Sequence, residues 1–168
     1  MENSNDACAE FAQQLIHDDK NPTFNKEFLK LQYLDYSLQS LHTICAFLIH
    51  ADKKELHLEP YVEVVRLAIR TGAYVGETVR KNDQKIDWKW VEYDEAIKFH
   101  PEIAQYQAKS LGSHFLMIGT DKEDSFTHFS FPINKVLKNL ENGEADSVYA
   151  FAMTQLTFQT EMQNVDND

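Results

Sequence analysis

Residues 60–82 read PYVEVVRLAIRTGAYVGETVRKN, and this stretch decides the fold. Pro60 suits the start of a helix and Asn82 suits its end, so the segment is predicted to form one long helix. At about 100° per residue, its side chains separate into two faces. One narrow stripe is polar and consists of Glu63, Arg66, Arg70, Tyr74, Glu77 and Lys81. The opposite face is apolar or small and includes Val65, Ile69, Gly72, Gly76 and Val79.

Gly72 and Gly76 lie at the centre of the apolar face. A glycine inside a helix is unfavourable by about 1 kcal/mol relative to alanine. Another element packed unusually close to the two glycines would offset that cost. The helix predicted for residues 38–52 is expected to pack antiparallel to the long helix, because the connection between them is short. The glycine face is therefore predicted to receive that helix or a sheet.

Length and composition indicate one globular domain. The chain has 168 residues, of which 43% are hydrophobic and 12% aromatic, enough for one core. We expect a single domain over residues 1–168, with mobile ends at about 1–5 and 160–168. The predicted elements run helices, then strands, then helices. That order is typical of an α+β fold, here helix-rich, with an N-terminal helical part and a small antiparallel sheet flanked by C-terminal helices.

The other elements follow from hydrophobic periodicity and turn signals. Further helices are predicted for residues 6–19, 38–52, 132–142 and 146–156. The segment around Phe28 and Leu34 fits either a short helix or an extended chain. WKWVEY (88–93) alternates as a half-buried strand, and DEAIKF (94–99) suits a short helical turn. Two apolar runs, 114–119 and 126–131, flank the loop TDKEDS (120–125) and predict a β-hairpin.

The charge distribution limits the classes of partner. The formal charge is −11, from 27 acidic and 16 basic residues. Residues 1–60 hold ten acids and five bases, residues 61–110 hold eight of each, and residues 111–168 hold nine acids and three bases. Nucleic acids and anionic membranes attract basic surfaces, so neither is an expected partner. A basic protein partner fits this charge, although acidity also serves solubility alone.

The cysteines and the N-terminus indicate a cytoplasmic protein. MENSNDACAE has neither the basic nor the apolar segment of a signal peptide. Cys8 is expected near a mobile end and Cys45 as a buried small side chain, without a disulfide. A nucleophilic Cys45 is not expected, because its stripe faces the core even though His42 lies three residues earlier.

Candidate catalytic and metal sites are weak. Glu77 could serve as a binding or catalytic carboxylate, with Arg80 or a histidine beside it, but its stripe favours a solvated residue paired with Lys81. The seven histidines form neither an HExxH motif nor a Cys/His zinc pattern. We therefore predict no catalytic residues, no metal and no cofactor.

The hairpin loop and the two tryptophans are candidate contact sites. Asp121, Glu123 and Asp124 crowd the loop but lack the spacing of a calcium site, so they are expected to be solvated or to bind a partner. Trp88 and Trp90 point to one face of a strand. That face is either core or, if exposed, an interaction surface.

Three segments together resemble a known group of proteins. They are GAYVGETVRKN (72–82), WKWVEY (88–93) and FPINKVLKNLENGEADSV (131–148). Over residues 35–156 the chain resembles small uncharacterised bacterial domains, some of which look like immunity proteins from polymorphic-toxin or contact-dependent secretion loci. The resemblance implies a compact acidic protein that binds and blocks a toxin, and it carries over no catalytic residues.

The functional expectation is a non-enzymatic binding protein, of the immunity type, with a basic toxin or effector as its partner. Its expected contact residues are Asp121, Glu123, Asp124, Glu77 and Tyr74. One alternative is a small hydrolase-like enzyme that uses Glu77 with Arg80 or a histidine, which would need a concave pocket. The other is a structural or oligomerisation module built on exposed aromatic residues such as Tyr74 and Trp88.

Overall fold

The structure, a computed structural model, describes residues 4–51, 58–123 and 125–161, with side chains up to residue 156. The α-helices are α1 Ser4–His17, α2 Ser40–His50, α3 Tyr61–Asn82, α4 Tyr93–Phe99, α5 Ile103–Tyr106, α6 Pro132–Asn142 and α7 Val148–Glu161. The strands are β1 Ile86–Glu92, β2 Phe115–Asp121 and β3 Thr127–Ser130. The predicted α+β fold, helix-rich with a small antiparallel sheet, is confirmed.

Several boundaries differ from the predictions. The undecided segment after α1 forms two short 3-10 helices, Lys26–Phe28 and Leu31–Tyr33. The final helix begins at Val148, because a 3-10 helix, Gly143–Asp146, comes first. Residues 4 and 5 were expected to be mobile, but they belong to α1, and Asn5 accepts a hydrogen bond from the backbone of the sheet. Residues 160 and 161, also expected to be mobile, belong to α7, and the rest of the predicted mobile ends, at 1–3 and 162–168, lies outside the described residues.

The sheet has the strand order β1-β2-β3, and both pairs are antiparallel. The predicted hairpin between β2 and β3 is therefore confirmed. One face of β1 carries Trp88 and Trp90, which are 3% and 2% exposed, so the tryptophan face is core. The other face of the sheet is covered by α4 and α5 through a smaller cluster around Tyr93, Ile103 and Leu116.

Helix α3 crosses the middle of the domain and packs closely at both glycines. A Cβ atom on Gly72 would lie 2.5 Å from the Cα of Ile133 in α6. A Cβ atom on Gly76 would lie 2.2 Å from Cζ2 of Trp90 in β1. Real Cβ atoms do not approach other atoms this closely, so both positions need glycine. The predicted close packing is confirmed, with α6 and the sheet as the partners.

The predicted pairing of the helix at 38–52 with the glycine face is wrong. Helix α3 packs chiefly against α1 and α6, whereas α2 packs against α7 and α6. A short connection favours antiparallel neighbours only when no other element fits the face better. Here a proline-led helix, α6, brings the Ile133 backbone against Gly72, and a tryptophan ring fills the space at Gly76.

Candidate functional site

The polar stripe of α3 is buried for half its length. Arg70, Tyr74 and Glu77 are 5%, 0% and 2% exposed. The expectations that Glu77 is solvated and that Tyr74 is exposed are wrong, because α1 and the segment before α2 cover this stripe. Tyr74 and Glu77 therefore do not contribute to an exposed contact surface.

Glu77 joins α3 to the sheet. Its Oε1 accepts a hydrogen bond from Nε1 of Trp90 at 2.9 Å. The Nε atom of Arg80 lies 3.0 Å from the same oxygen, an ion pair without the alignment of a hydrogen bond. Lys81, the predicted partner, instead lies over the Tyr36 ring, 5.0 Å from its centre. The carboxylate thus holds the ring that fills the space beside Gly76.

Cys8 shares this buried environment. Its side chain is completely buried within α1. Burial, together with the nearby Glu77 charge and against the opposing effect of Arg80, raises the pKa of the Cys8 thiol to about 12. A thiol with such a pKa is protonated at neutral pH and is a poor nucleophile. Cys8 is therefore a packing residue.

Tyr74 orders the segment that leads into α2. Its hydroxyl donates to Oγ of Ser40 at 2.8 Å and accepts from the backbone N–H of Tyr36 at 3.0 Å. The Tyr36 ring stacks on the Tyr74 ring with 4.6 Å between centres. Tyr36 has a φ of 61°, a left-handed conformation that costs energy for a residue other than glycine. The contacts with Tyr74 hold Tyr36 in that conformation.

Arg70 connects α3 to the end of α1. Its Nη2 lies 2.5 Å from Oδ2 of Asp18, and its Nη1 donates to the backbone oxygen of Asn21 at 2.7 Å. Longer contacts of 3.3 Å reach Oγ1 of Thr23 and Oε1 of Gln14. A buried guanidinium with this many acceptors is a structural anchor.

The Arg70 anchor predicts a pH-dependent stability. The pKa of the Asp18 carboxyl lies below its usual range, chiefly because the backbone N–H of Asn21 donates to it, with help from Arg70 and against partial burial. A carboxyl with a lowered pKa stabilises the native state while ionised, and this contribution disappears as pH falls through the folded-state pKa. We expect Asp18→Asn to lower the melting temperature at pH 7, and the difference from the native protein to shrink as pH falls below the usual titration range of an aspartate carboxyl.

Asp19→Asn is the matched control, because the Asp19 carboxylate is 90% exposed. This variant is expected to melt close to the native protein at every pH. An Asp18→Asn deficit that stays the same size as the carboxyl is titrated with acid would contradict the role of the ionised carboxylate.

The acidic side chains of the hairpin loop differ in their contacts and exposure. Asp121 Oδ1 accepts a hydrogen bond from the backbone of Glu123 at 2.7 Å, which shapes the turn. Lys122 lies between them, and its ammonium donates to the backbone oxygen of Gln84 at 2.7 Å. Glu123 is exposed, Asp121 is half-buried, and Asp124 lies outside the described residues. Of the expected contact residues, Glu123 is the best placed for a partner.

Exposed aromatic side chains lie in the segment that covers the sheet and immediately before β3. Phe99, Tyr106 and Phe126 are 75%, 76% and 65% exposed. Tyr106 also lines a cavity of about 260 Å³ with Ile103, Phe129 and Phe131. We call the edge of β3 and this cavity the β3 surface. No motif in the sequence marked it, although FSF (129–131) before Pro132 placed aromatic residues at alternate positions of a strand.

A second concave site lies between α2 and the corner where α6 leads to α7. This cleft has a volume of about 630 Å³, within the range of small-molecule pockets. It is lined by both Cys45 and His42. The Cys45 sulfur lies 3.7 Å from Oγ of Ser147, whereas the His42 ring stacks on Tyr149 at 4.0 Å between centres. The thiol and the imidazole thus use different partners, and the contacts of the cleft do not form a nucleophile–base pair.

The part of the chain that the structure describes contains neither a cluster of metal ligands nor a membrane-spanning helix. Within residues 4–51, 58–123 and 125–156, His, Cys, Asp and Glu side chains form no group of three or more that could hold a metal ion. In that part of the chain, none of the helices combines the length and the apolar character needed to cross a bilayer.

Comparison of the chain with protein families, with curated proteins and with solved structures gives no match. The resemblance to immunity proteins therefore remains a prediction that rests on the three sequence segments alone.

Proposed function

We propose that this chain is a non-enzymatic binding protein, of the kind that neutralises a toxin or effector enzyme by occupying it. The observation that carries the proposal is a set of exposed aromatic side chains, two of which, Tyr106 and Phe126, lie next to β3. Large aromatic residues are enriched where proteins bind each other, because they bury much apolar area. Three of them, Phe99, Tyr106 and Phe126, leave most of their surface in water.

The charge of the chain supports a basic partner. A net charge of −11 on 168 residues produces an electrostatic field that attracts cationic proteins and speeds their association. Glu123 is exposed at the tip of the hairpin that ends in β3. The partner surface that fits best therefore combines apolar and basic groups.

The enzyme alternative has little support from geometry. A general acid or base has to reach its substrate in a cleft. The Glu77 carboxylate is 2% exposed, accepts from Trp90 inside the core, and lines neither of the two cavities described above. Its contacts with Arg80 and Trp90 account for it as a structural group.

The proposal is tested with a toxin encoded beside this protein. Mixing the purified pair is expected to give a one-to-one complex by size-exclusion chromatography and to abolish the toxin activity. A double variant, Tyr106→Ala with Phe126→Ala, is expected to weaken neutralisation, whereas Tyr33→Ala, which removes an aromatic residue that is 57% exposed elsewhere, is the control. Toxin activity that is unchanged by an excess of the protein would overturn the proposal.

The same aromatic residues would also suit an oligomerisation module. The molecular mass in solution distinguishes self-association from binding of a different protein. The binding proposal predicts a monomer by light scattering at high concentration. A stable oligomer that the double variant converts to a monomer would favour the alternative.

A further inference from the structure

The two edges of the sheet differ in how they are covered. At β1, helix α1 packs along the strand, and the backbone N–H of Trp90 donates to Oδ1 of Asn5 at 2.8 Å. At the opposite edge, β2 is the only strand that pairs with β3 in the part of the chain that the structure describes. Edge strands usually carry a charge, a proline or a bulge that prevents further pairing. The β3 residues, THFS, include neither lysine nor proline and form a continuous register with β2.

The hydrogen-bond pattern identifies the groups on the free edge. Asp121 N–H donates to the backbone oxygen of Phe126 at 2.9 Å, so these two residues form a hydrogen-bonded pair. Such pairs alternate along an antiparallel ladder, so His128 also bonds to β2, opposite Gly119. The N–H and C=O groups of Thr127 and Phe129 therefore point away from β2, toward the position that a fourth strand would occupy.

An apolar cavity lies beside this edge. Phe129 points to the same face of the sheet as its register partner Ile118, and its ring lines the cavity of about 260 Å³ with Tyr106 and Phe131. A residue paired with Phe129 on an added strand would have its Cβ within about 5 Å of the Cβ of Phe129. Its side chain would then reach the cavity. Backbone donors and an adjacent side-chain pocket are the two parts of a strand-addition site.

We propose that β3 binds an extended, basic segment of a protein partner as a fourth strand, with one apolar side chain of that segment in the cavity. This inference rests on the proposed binding function and specifies how the partner is held. Charge favours this occupant: the hairpin that begins the edge exposes Glu123, and the chain carries −11 overall. A second copy of the chain would bring two such charges together, which opposes pairing of β3 with itself.

The direct test uses a synthetic peptide as the probe. It is a fluorescein-labelled heptapeptide of alternating lysine and valine with phenylalanine at its centre, and binding is followed by fluorescence anisotropy. We expect saturable binding. Methylating two backbone nitrogens on the edge of the peptide that faces β3 should weaken binding by about tenfold, because two backbone hydrogen bonds are lost. A peptide with glutamate in place of lysine should also bind more weakly than the lysine peptide, because the chain is acidic.

Two proline variants distinguish the free edge from the paired one. Thr127→Pro removes an N–H that points away from β2, and proline is tolerated there in an edge strand. It is expected to keep the native melting temperature and to bind the peptide at least about fivefold more weakly, since one donor is lost and the ring obstructs the added strand. His128→Pro removes an N–H of the β2–β3 ladder and is expected to lower the melting temperature by at least about 4 °C.

A third variant tests the cavity. Tyr106→Ala removes one wall of the cavity. It should therefore weaken binding of the peptide with phenylalanine at its centre more than it weakens binding of the same peptide with alanine there. Thr127→Pro and Tyr106→Ala test the backbone and side-chain parts of the site separately.

Three results would overturn the proposal. They are equal binding by the native protein and Thr127→Pro, binding that tolerates backbone methylation, and a native dimer that Thr127→Pro dissociates, which would assign the edge to a second copy. If Thr127→Pro neutralises the toxin as well as the native protein does, strand addition fails while the binding function stands. If the native protein itself does not neutralise the toxin, the proposed function fails, whatever the peptide measurements show.

Discussion

The Gly76→Leu variant is expected to lose about 3 kcal/mol or more of its unfolding free energy. The Cβ atom alone would lie 2.2 Å from Cζ2 and 2.6 Å from Cη2 of Trp90, and the sulfur of Met117 is 3.0 Å away. Trp90 cannot swing aside without breaking the hydrogen bond from its Nε1 to Glu77. Overpacking of a filled core costs typically about 1–3 kcal/mol, and a whole isobutyl group at this distance belongs at or above the top of that range. Urea denaturation followed by tryptophan fluorescence measures the loss.

The Gly76→Ala variant tests the close contact more directly, because the contact reverses the sign of the expected change in stability. In an open helix this change stabilises by about 1 kcal/mol, because alanine favours the helix. Here we expect it to destabilise, because the added methyl group has no room. Ala46→Leu, at an exposed position of α2, is the control for adding a leucine side chain to a helix and should change stability little. A Gly76→Ala protein more stable than the native one would contradict the close contact with Trp90.

The Glu77→Leu variant is expected to lose about 1–3 kcal/mol of its unfolding free energy. Removing the carboxylate leaves the buried Nε1 of Trp90 without its acceptor and separates Arg80 from its ion-pair partner. A buried donor that loses its acceptor costs about 1–3 kcal/mol. The Arg80 side chain is 31% exposed, so water replaces much of that interaction and its share is small.

A double-mutant cycle assigns this loss to the Trp90 contact. Trp90→Phe removes the indole N–H but keeps an aromatic ring, so Glu77→Leu in that background should cost less than in the native protein. Glu77→Gln keeps an acceptor for Nε1 and should be the milder single change. Glu123→Gln, at the exposed hairpin tip, is the control and should have almost no effect on stability. Equal costs of Glu77→Leu in both backgrounds would show that the hydrogen bond contributes little.

The local elements could be predicted because their signals lie within a few residues of one another. Pro132 and Gly143 bound α6 as expected, and the apolar runs on either side of the acidic loop form the hairpin. The start of α7 was missed by two residues because Asp146 ends a 3-10 turn instead of beginning the helix. A single acidic residue favours both positions, and neighbouring packing selects one.

The candidate site could not be predicted in the same way. The β3 surface brings Tyr106 to Phe129 and Phe131, residues more than twenty positions away in the chain. Such a meeting depends on how α5 lies over the sheet, and helical or strand periodicity carries no information on that placement. The loop residue Glu123, by contrast, was located from sequence, because a polar hairpin turn is exposed by necessity.

The amino-acid sequence by itself determined that α3 has a glycine face and a polar stripe, and that the glycines require a close neighbour. Only the tertiary structure decided that the neighbours are Ile133 and Trp90, and that the polar stripe is buried as well. The physical reason is that a helical wheel measures polarity, whereas burial depends on whether polar groups find partners. Arg70, Tyr74 and Glu77 each find them, in Asp18, Ser40 and Trp90, on segments distant in the chain.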